Sequence, residues 1–137
     1  MYLIDTVVFS ELFKRRRHLG FLHWLSEKTE DLLFLSTVTI GEIERGIEGQ
    51  RSRNPPFADA LIAWLDRSLN VYEDRILPVT TAIARRWGRL SARIGHDGVD
   101  LLIAATALEH GLTVATRNVR HFTPTGVAVE NPFEDRG

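Results

Sequence analysis

The chain has 137 residues, of which 44% are hydrophobic and 26% charged, an ordinary composition for one globular domain over residues 1–137. A formal net charge of −1 excludes a uniformly basic surface, so any binding of nucleic acid has to be local. The sequence contains no cysteine, which excludes disulfides and thiolate metal sites and fits a reducing, cytoplasmic location.

The first half of the chain predicts two strands, each followed by helices. The strands are the apolar runs "YLID" and "LLFLSTVT". Ser10 is the predicted N-cap of a helix through "ELFKRRR", and "GFLHWLSEK" continues helically. Thr39 is the predicted N-cap of the helix "IGEIERGIEGQ". After a break at "RSRNPP", the segment "FADALIAWLDRSL" carries apolar residues at helical spacing.

The second half continues the alternation. We predict strands at "ILPVT" and "LTVAT", and "VAVEN" as a possible fifth. Between them, "TAIARRWGRLSARIG" is amphipathic, and "VDLLIAATALEHG" has so few polar side chains that we expect a buried helix ending at Gly111. This order predicts an α/β fold: a three-layer α/β/α sandwich around a central, mainly parallel sheet of four to five strands.

In open parallel sheets ligands bind outside the carboxyl ends of the strands, and four polar residues are candidates to lie at that edge. Asp5 ends the first strand, and Glu42 lies in the first turn of the helix after the second. Asp100 begins the buried helix, and "ATRN" ends the fourth strand at Asn118. We therefore expect these side chains to converge on one side of the sheet.

Three carboxylates gathered at one place repel one another, and a shared cation removes the conflict. Oxygen ligands without cysteine or a histidine pair favour a hard ion, Mg²⁺ or Mn²⁺. Such an ion can hold a phosphodiester and lower the pKa of a bound water. The pattern is therefore typical of phosphodiester hydrolysis without a protein nucleophile.

Each carboxylate also has a simpler interpretation. Asp5 could cap a turn or pair with an arginine, Glu42 could favour the helix dipole, and Asp100 could be an ordinary first-turn residue. Asp97 competes with Asp100 as the third carboxylate, but it stands beside glycine in a loop. A phosphatase with Asp5 as covalent nucleophile would need an aspartate where Val7 stands, and no motif lysine is evident.

Four stretches of the sequence match a known pattern: "LIDTVVFSEL", "STVTIGEIERGI", "DLLIAATALEHGLTVATRNVRHF" and "GVAVENPF", of which the third is the most specific. Together they resemble the PIN-domain family, and within it the VapC-like toxins of bacterial toxin–antitoxin pairs. The resemblance implies one PIN-like domain over residues 1–137, a homodimer, and a Mg²⁺-dependent endoribonuclease in which Mn²⁺ can substitute. It also implies a cognate antitoxin encoded nearby that holds the toxin inactive, with DNA contacted only through the antitoxin.

Carried over residue by residue, the resemblance implies that Asp5, Glu42 and Asp100 are the metal-site carboxylates. Thr6 and Ser10 match small polar positions near that site. Val7 departs from the family's usual asparagine, and a polar contact is expected to be lost there.

The fourth acidic position of the family is also unfilled, because Asn118 and His121 stand at the two places where an aspartate is often found. Asn118 could still coordinate through its amide oxygen. Its neutrality predicts one tightly held ion, with a second recruited only with substrate, if at all. These departures keep a second interpretation open: a PIN-fold binding module with weak or no nuclease activity, acting mainly in an antitoxin complex that represses its own operon.

Several cations are candidates for phosphate contacts. Arg117 is the closest in sequence to the site, followed by Arg120 and the run 14–17, which could equally be a solvated helix face. His121 could donate a proton to the leaving oxygen.

Overall fold

Five parallel strands form the centre of the molecule in a computed structural model that describes residues 1–134. The strands are β1 (Tyr2–Ile4), β2 (Leu33–Ser36), β3 (Ile76–Leu77), β4 (Thr113–Ala115) and β5 (Val129–Glu130), in the spatial order β3-β2-β1-β4-β5. Every neighbouring pair is parallel. The predicted α/β class and parallel sheet are confirmed; the last three residues of the expected domain, 135–137, lie outside the described residues.

Seven α-helices cover the sheet within the described range. They are α1 (Thr6–Glu11), α2 (Leu19–Ser26), α3 (Thr37–Arg51), α4 (Pro55–Val71), α5 (Thr81–Ile94), α6 (Val99–His110) and α7 (Val119–Phe122). Short 3₁₀ turns span Glu30–Leu32, Glu73–Arg75 and Thr123–Thr125. None of the described helices has the length and apolar character needed to cross a bilayer.

The three layers follow from the alternation of side chains along β1. Ile4 points to one face, where it joins the core formed with α1 to α4, including Phe9 and Trp24. Leu3 points to the other face and packs with Ile103 of α6 and other apolar residues. Because successive strand residues face opposite ways, one short strand anchors both layers.

The apolar helix α6 is buried as expected. Its central run from Ile103 to Ala107 is inaccessible to solvent, and Ala105 packs against Ile83 and Leu90 of the amphipathic α5. The helix ends at Gly111, whose φ of +65° lies in the left-handed region that favours glycine.

Two predicted helix starts are wrong. Asp5, not Ser10, is the N-cap of α1, since Asp5 Oδ1 accepts the backbone N–H of Val8 at 2.9 Å. Helix α1 ends at Glu11, so the basic run 14–17 lies in an irregular segment and not on a helix face. Ser10 instead lies in the last turn of α1.

Ser36, not Thr39, is the N-cap of α3, and its hydroxyl accepts the N–H of Val38 at 3.1 Å. Glu42 therefore lies in the second turn of α3 and not the first, which weakens the helix-dipole interpretation. Likewise β4 ends at Ala115, and Asn118 is the N-cap residue of the unpredicted helix α7. Both strands are shorter than the apolar pattern suggested, and α3 starts earlier than predicted.

Candidate functional site

Asp5 is a buried carboxylate held between the two central strands. It is 3% exposed, and its backbone N–H donates to the carbonyl of Ala115 at 3.1 Å. Both carboxylate oxygens accept hydrogen bonds: Oδ1 from the N–H of Val8, and Oδ2 from the hydroxyl of Thr116 at 2.6 Å. A carboxylate offers about four lone-pair sites, so these contacts orient Asp5 without exhausting its capacity to bind a ligand.

The electrostatics of Asp5 locate the other two carboxylates. Burial raises the pKa of Asp5, and the hydrogen bonds from Thr116 and Val8 partly oppose this effect. The negative charges of Asp100 and Glu42 raise the pKa of Asp5 further. The structure therefore brings the three acidic residues within electrostatic range of one another, although they are far apart in sequence.

Glu42 and Asp100 face a common cavity of about 470 Å³, which His121 and Arg120 also line. Glu42 Oε1 accepts a hydrogen bond from the hydroxyl of Thr6. Asp100, in the first turn of α6, has its Oδ2 2.9 Å from Nδ1 of His121.

The competing carboxylate, Asp97, is exposed in the loop before α6 and is not among the residues that line this cavity. The structure thus places Asp100, and not Asp97, beside Glu42.

The carboxylates fit a hard divalent cation in charge and chemistry. Across residues 1–134, Asp5, Glu42 and Asp100 form no ion pair with lysine or arginine, and the one paired side chain among their neighbours is His121, which contacts Asp100. The suggestion that Asp5 pairs with an arginine is wrong, whereas its role as a cap is confirmed. Oxygen donors with unrelieved negative charge are what Mg²⁺ prefers.

The same carboxylates are not closed around a ligand. In the described part of the chain, no three acidic or histidine side chains stand close enough together to enclose a metal ion. Each is held by its own partner: Asp5 by Thr116, Glu42 by Thr6 and Asp100 by His121. Enclosing a cation therefore requires the side chains on α3 and α6 to turn towards Asp5.

Two predicted site residues lie beside the carboxylate cavity and not inside it. Asn118 is exposed, and its backbone N–H donates to Thr116 Oγ1 at 2.9 Å, so one hydroxyl links it to Asp5. Arg117 is also exposed, and its guanidinium lies 3.9 Å from the ring centre of Phe133. Both Arg117 and Asn118 line a second cavity of about 330 Å³.

The remaining predicted residues, Thr6 and Ser10, line one end of a long groove with Glu42. This groove has a volume of about 1050 Å³. Its lining combines apolar and aromatic residues with cations: Phe13, Ile43, Phe57, Leu61 and Trp64, and Lys14, Arg15, Arg16 and Arg67. We call it the α1/α4 groove; it shares Glu42 with the carboxylate cavity.

Sequence reasoning missed two buried threonines. Thr116 and Thr39 are inaccessible to solvent, and Thr39 Oγ1 lies 3.3 Å from the hydroxyl of Thr6. The available signal for Thr116 was its place directly after β4, at the same sheet edge as Asp5. A search restricted to charged residues passes over such a hydroxyl.

Comparisons with known proteins identify the family and support the fold. The model of the PIN domain family matches residues 2–124 of the chain. The chain is 31% identical over 141 residues to the VapC ribonuclease Y4jK of Sinorhizobium fredii, covering 98% of this chain and 99% of that protein. It is also 31% identical over 141 residues to the toxin FitB of Neisseria gonorrhoeae, covering 98% of this chain and all of that protein (100%).

A solved structure gives the same result in three dimensions. The crystal structure of FitAcB from Neisseria gonorrhoeae is similar with a TM-score of 0.86 and 31% sequence identity. The match covers 98% of this chain and 99% of that chain, so the likeness extends over the whole fold and not one motif.

Proposed function

The chain belongs to the PIN-domain family, and from that premise we propose that it is a metal-dependent endoribonuclease acting as the toxin of a toxin–antitoxin pair. The observation that carries the proposal is the buried Asp5, which lies within electrostatic range of Glu42 and Asp100; within residues 1–134, no arginine or lysine forms an ion pair with any of the three. The names of two relatives, a VapC ribonuclease and the toxin FitB, support the same class of activity.

Asp5, Glu42 and Asp100 would hold the ion, which we propose is Mg²⁺, with Mn²⁺ as a substitute. When bound, the ion supplies positive charge that polarises the phosphodiester and lowers the pKa of the attacking water. Asn118 is neutral, so the site has three negative charges and suits one tightly held ion, with a second recruited only together with RNA.

The chain's own residues orient the reacting groups. Thr116 and the N–H of Val8 fix the plane of the Asp5 carboxylate, and Thr6 and His121 hold the other two carboxylates by one oxygen each. Because the Asp5 carboxylate is already oriented, it needs little reorganisation when substrate arrives, whereas Glu42 and Asp100 have to rearrange. Ser10 lines the α1/α4 groove with Glu42, and Arg117 lines the second cavity; from these positions both would contact the RNA backbone.

The α1/α4 groove suits the antitoxin. Its aromatic and apolar wall, which includes Phe57 at 40% exposure, offers contacts for the apolar side chains of a partner segment. Glu42 at the end of the groove would attract an arginine inserted by that segment, and such an arginine would compete with the cation. Contact with DNA would run through the antitoxin, and a homodimer remains our prediction, to be measured by light scattering.

Cleavage of RNA by the purified, antitoxin-free chain tests the proposal. We expect cleavage that requires Mg²⁺, stops with a chelator and returns with Mn²⁺. Asp5→Asn removes one charge but keeps a side chain able to cap α1, and it should abolish cleavage. The matched control is Asp97→Asn, which removes the same charge from an exposed loop and should cleave like the wild type.

Wild-type cleavage by Asp5→Asn at the same metal concentration would show that the site is assigned wrongly. If the folded wild type cleaves no RNA at any metal concentration but still binds its antitoxin, the protein is a binding module and the proposed ribonuclease activity is wrong.

A further inference from the structure

We propose that Arg117 and Arg120 form a subsite for the RNA phosphate next to the scissile one, and that this subsite is separate from the α1/α4 groove. The inference rests on the proposed ribonuclease function and extends it by giving the direction in which the RNA leaves the carboxylates.

Two adjacent cavities define the path. The carboxylate cavity, with Glu42 and Asp100, and the second cavity, with Arg117 and Asn118, share Arg120 and His121 as lining residues. The two cavities are therefore adjacent, with residues of α7 forming part of the lining of both.

Their charges differ in sign. Among residues 1–134, the lining of the second cavity has two guanidinium groups, the polar side chains of Asn118 and Asn131, and one opposing carboxylate, Glu134. A polyanion that reaches a carboxylate site meets repulsion everywhere except at the cation, and adjacent guanidinium groups offset that repulsion. The cationic cavity is thus placed where the next phosphate of the chain needs a partner.

Stacking orders the Arg117 side chain without using its N–H donors. Its guanidinium stacks at 3.9 Å on Phe133, which is buried and itself stacks on Phe21 at 5.5 Å between ring centres. The carboxylate of Glu11 attracts the guanidinium electrostatically. Stacking on an aromatic face leaves the N–H groups at the edge of a guanidinium available for bidentate phosphate contacts.

The N–H donors of both arginines are unused within the described residues. Within residues 1–134, Arg117 and Arg120 make no hydrogen bond and no ion pair, in contrast to Arg75, which donates to main-chain carbonyls, and Arg86, which pairs with Glu109. An ordered guanidinium with free donors, next to a candidate phosphodiester site, is poised to bind an anion.

The salt dependence of RNA binding tests this subsite. Labelled single-stranded RNA would be titrated with protein by fluorescence anisotropy between 50 and 200 mM salt, in an Asp5→Asn background to prevent cleavage. Each lost phosphate contact lowers the slope of log affinity against log salt by about 0.7 for single strands. The double variant Arg117→Gln/Arg120→Gln should lower this slope by about 1.4. Between 50 and 200 mM salt, the factor by which its affinity for RNA falls should therefore be about seven times smaller than the factor for the parent protein.

The matched control is Arg85→Gln/Arg93→Gln, which removes two exposed charges from α5 and should leave the slope unchanged. Arg117→Lys tests charge separately from stacking. It loses the stacked guanidinium but keeps the positive charge, so the salt dependence of RNA affinity should stay the same. Equal slopes for the subsite and control variants overturn the inference, while the proposed function stands if the wild type cleaves RNA with Mg²⁺. A wild type that neither binds nor cleaves RNA overturns both.

Discussion

The hydroxyl of Thr116 should contribute strongly to both stability and activity, because it donates to the buried Asp5 at 2.6 Å. Thr116→Val removes this donor and nearly preserves the shape of the side chain. A hydrogen bond to a charged group contributes about 1.5–3 kcal/mol. The second lost contact, from the N–H of the exposed Asn118, can be replaced by water and adds little.

We therefore expect the free energy of unfolding of Thr116→Val to fall by about 2 kcal/mol at pH 7 in the metal-free protein. With a urea slope of about 2 kcal/mol/M, the midpoint of denaturation should shift by about 1 M. Because the hydroxyl favours the charged form of Asp5, its loss raises the pKa of Asp5 further. The destabilisation should therefore shrink as the pH falls and Asp5 becomes protonated.

Thr116→Ser is the matched control, since it keeps the hydroxyl and loses only a buried methyl group, worth about 0.8 kcal/mol. Its deficit relative to wild type should be the same at all pH values. Urea denaturation of the three proteins from pH 4 to pH 8 measures both effects. A Thr116→Val deficit that is absent at pH 7, or that does not vary with pH, would refute the reasoning.

Three further predictions concern the stability of the metal-free protein, measured in the presence of a chelator. Burial and the two neighbouring carboxylates raise the folded-state pKa of Asp5 above its ordinary 3.8, so its charge destabilises the fold at neutral pH. Asp5→Asn should therefore be more stable than wild type at pH 7, with the advantage vanishing as the pH falls towards 3.8; a less stable variant at pH 7 contradicts this. Arg75→Lys breaks a guanidinium fork that bonds three main-chain carbonyls and should cost about 2 kcal/mol, measured by urea denaturation; an unchanged midpoint rules out that role. Gly111→Ala should lower the free energy of unfolding by about 1–2 kcal/mol, because Gly111 has a positive φ. Gly88→Ala on the exposed face of α5 should instead raise it by about 0.5–1 kcal/mol. Thermal denaturation measures both, and two changes of the same sign would contradict the prediction.

The sequence predicts the layers of this fold well because its strongest patterns are long. Helix α6 is apolar on all sides, and α5 has one clear apolar stripe, so each has a single plausible place in a three-layer sandwich. Helix α7 escapes prediction because four residues are too few to show a helical period.

The helix starts fail for a different reason. Asp5 and Ser36 each end the extended segment and cap the next helix, with no loop between. Ser10 and Thr39 are equally good caps by local preference, and only the tertiary position of the strands decides between them.

The candidate site is only partly visible in the sequence. Carboxylates placed after strands are conspicuous, and the structure brings Asp5, Glu42 and Asp100 into electrostatic range. Thr116 is not conspicuous, because a threonine at the end of a strand is common and its importance arises only when it lies against Asp5. The residues that line both cavities, Arg120 and His121, lie on α7. Because α7 was not predicted, the adjacency of the two cavities could not be predicted either.

Titration calorimetry with Mg²⁺ and Mn²⁺, without RNA, tests most directly whether the three carboxylates share a cation. The account predicts one tightly bound ion per wild-type chain, and loss of that binding in Asp5→Asn, Glu42→Gln and Asp100→Asn but not in Asp97→Asn. Binding that persists unchanged in any of the first three variants, or two equivalent tight ions in the wild type, would contradict it.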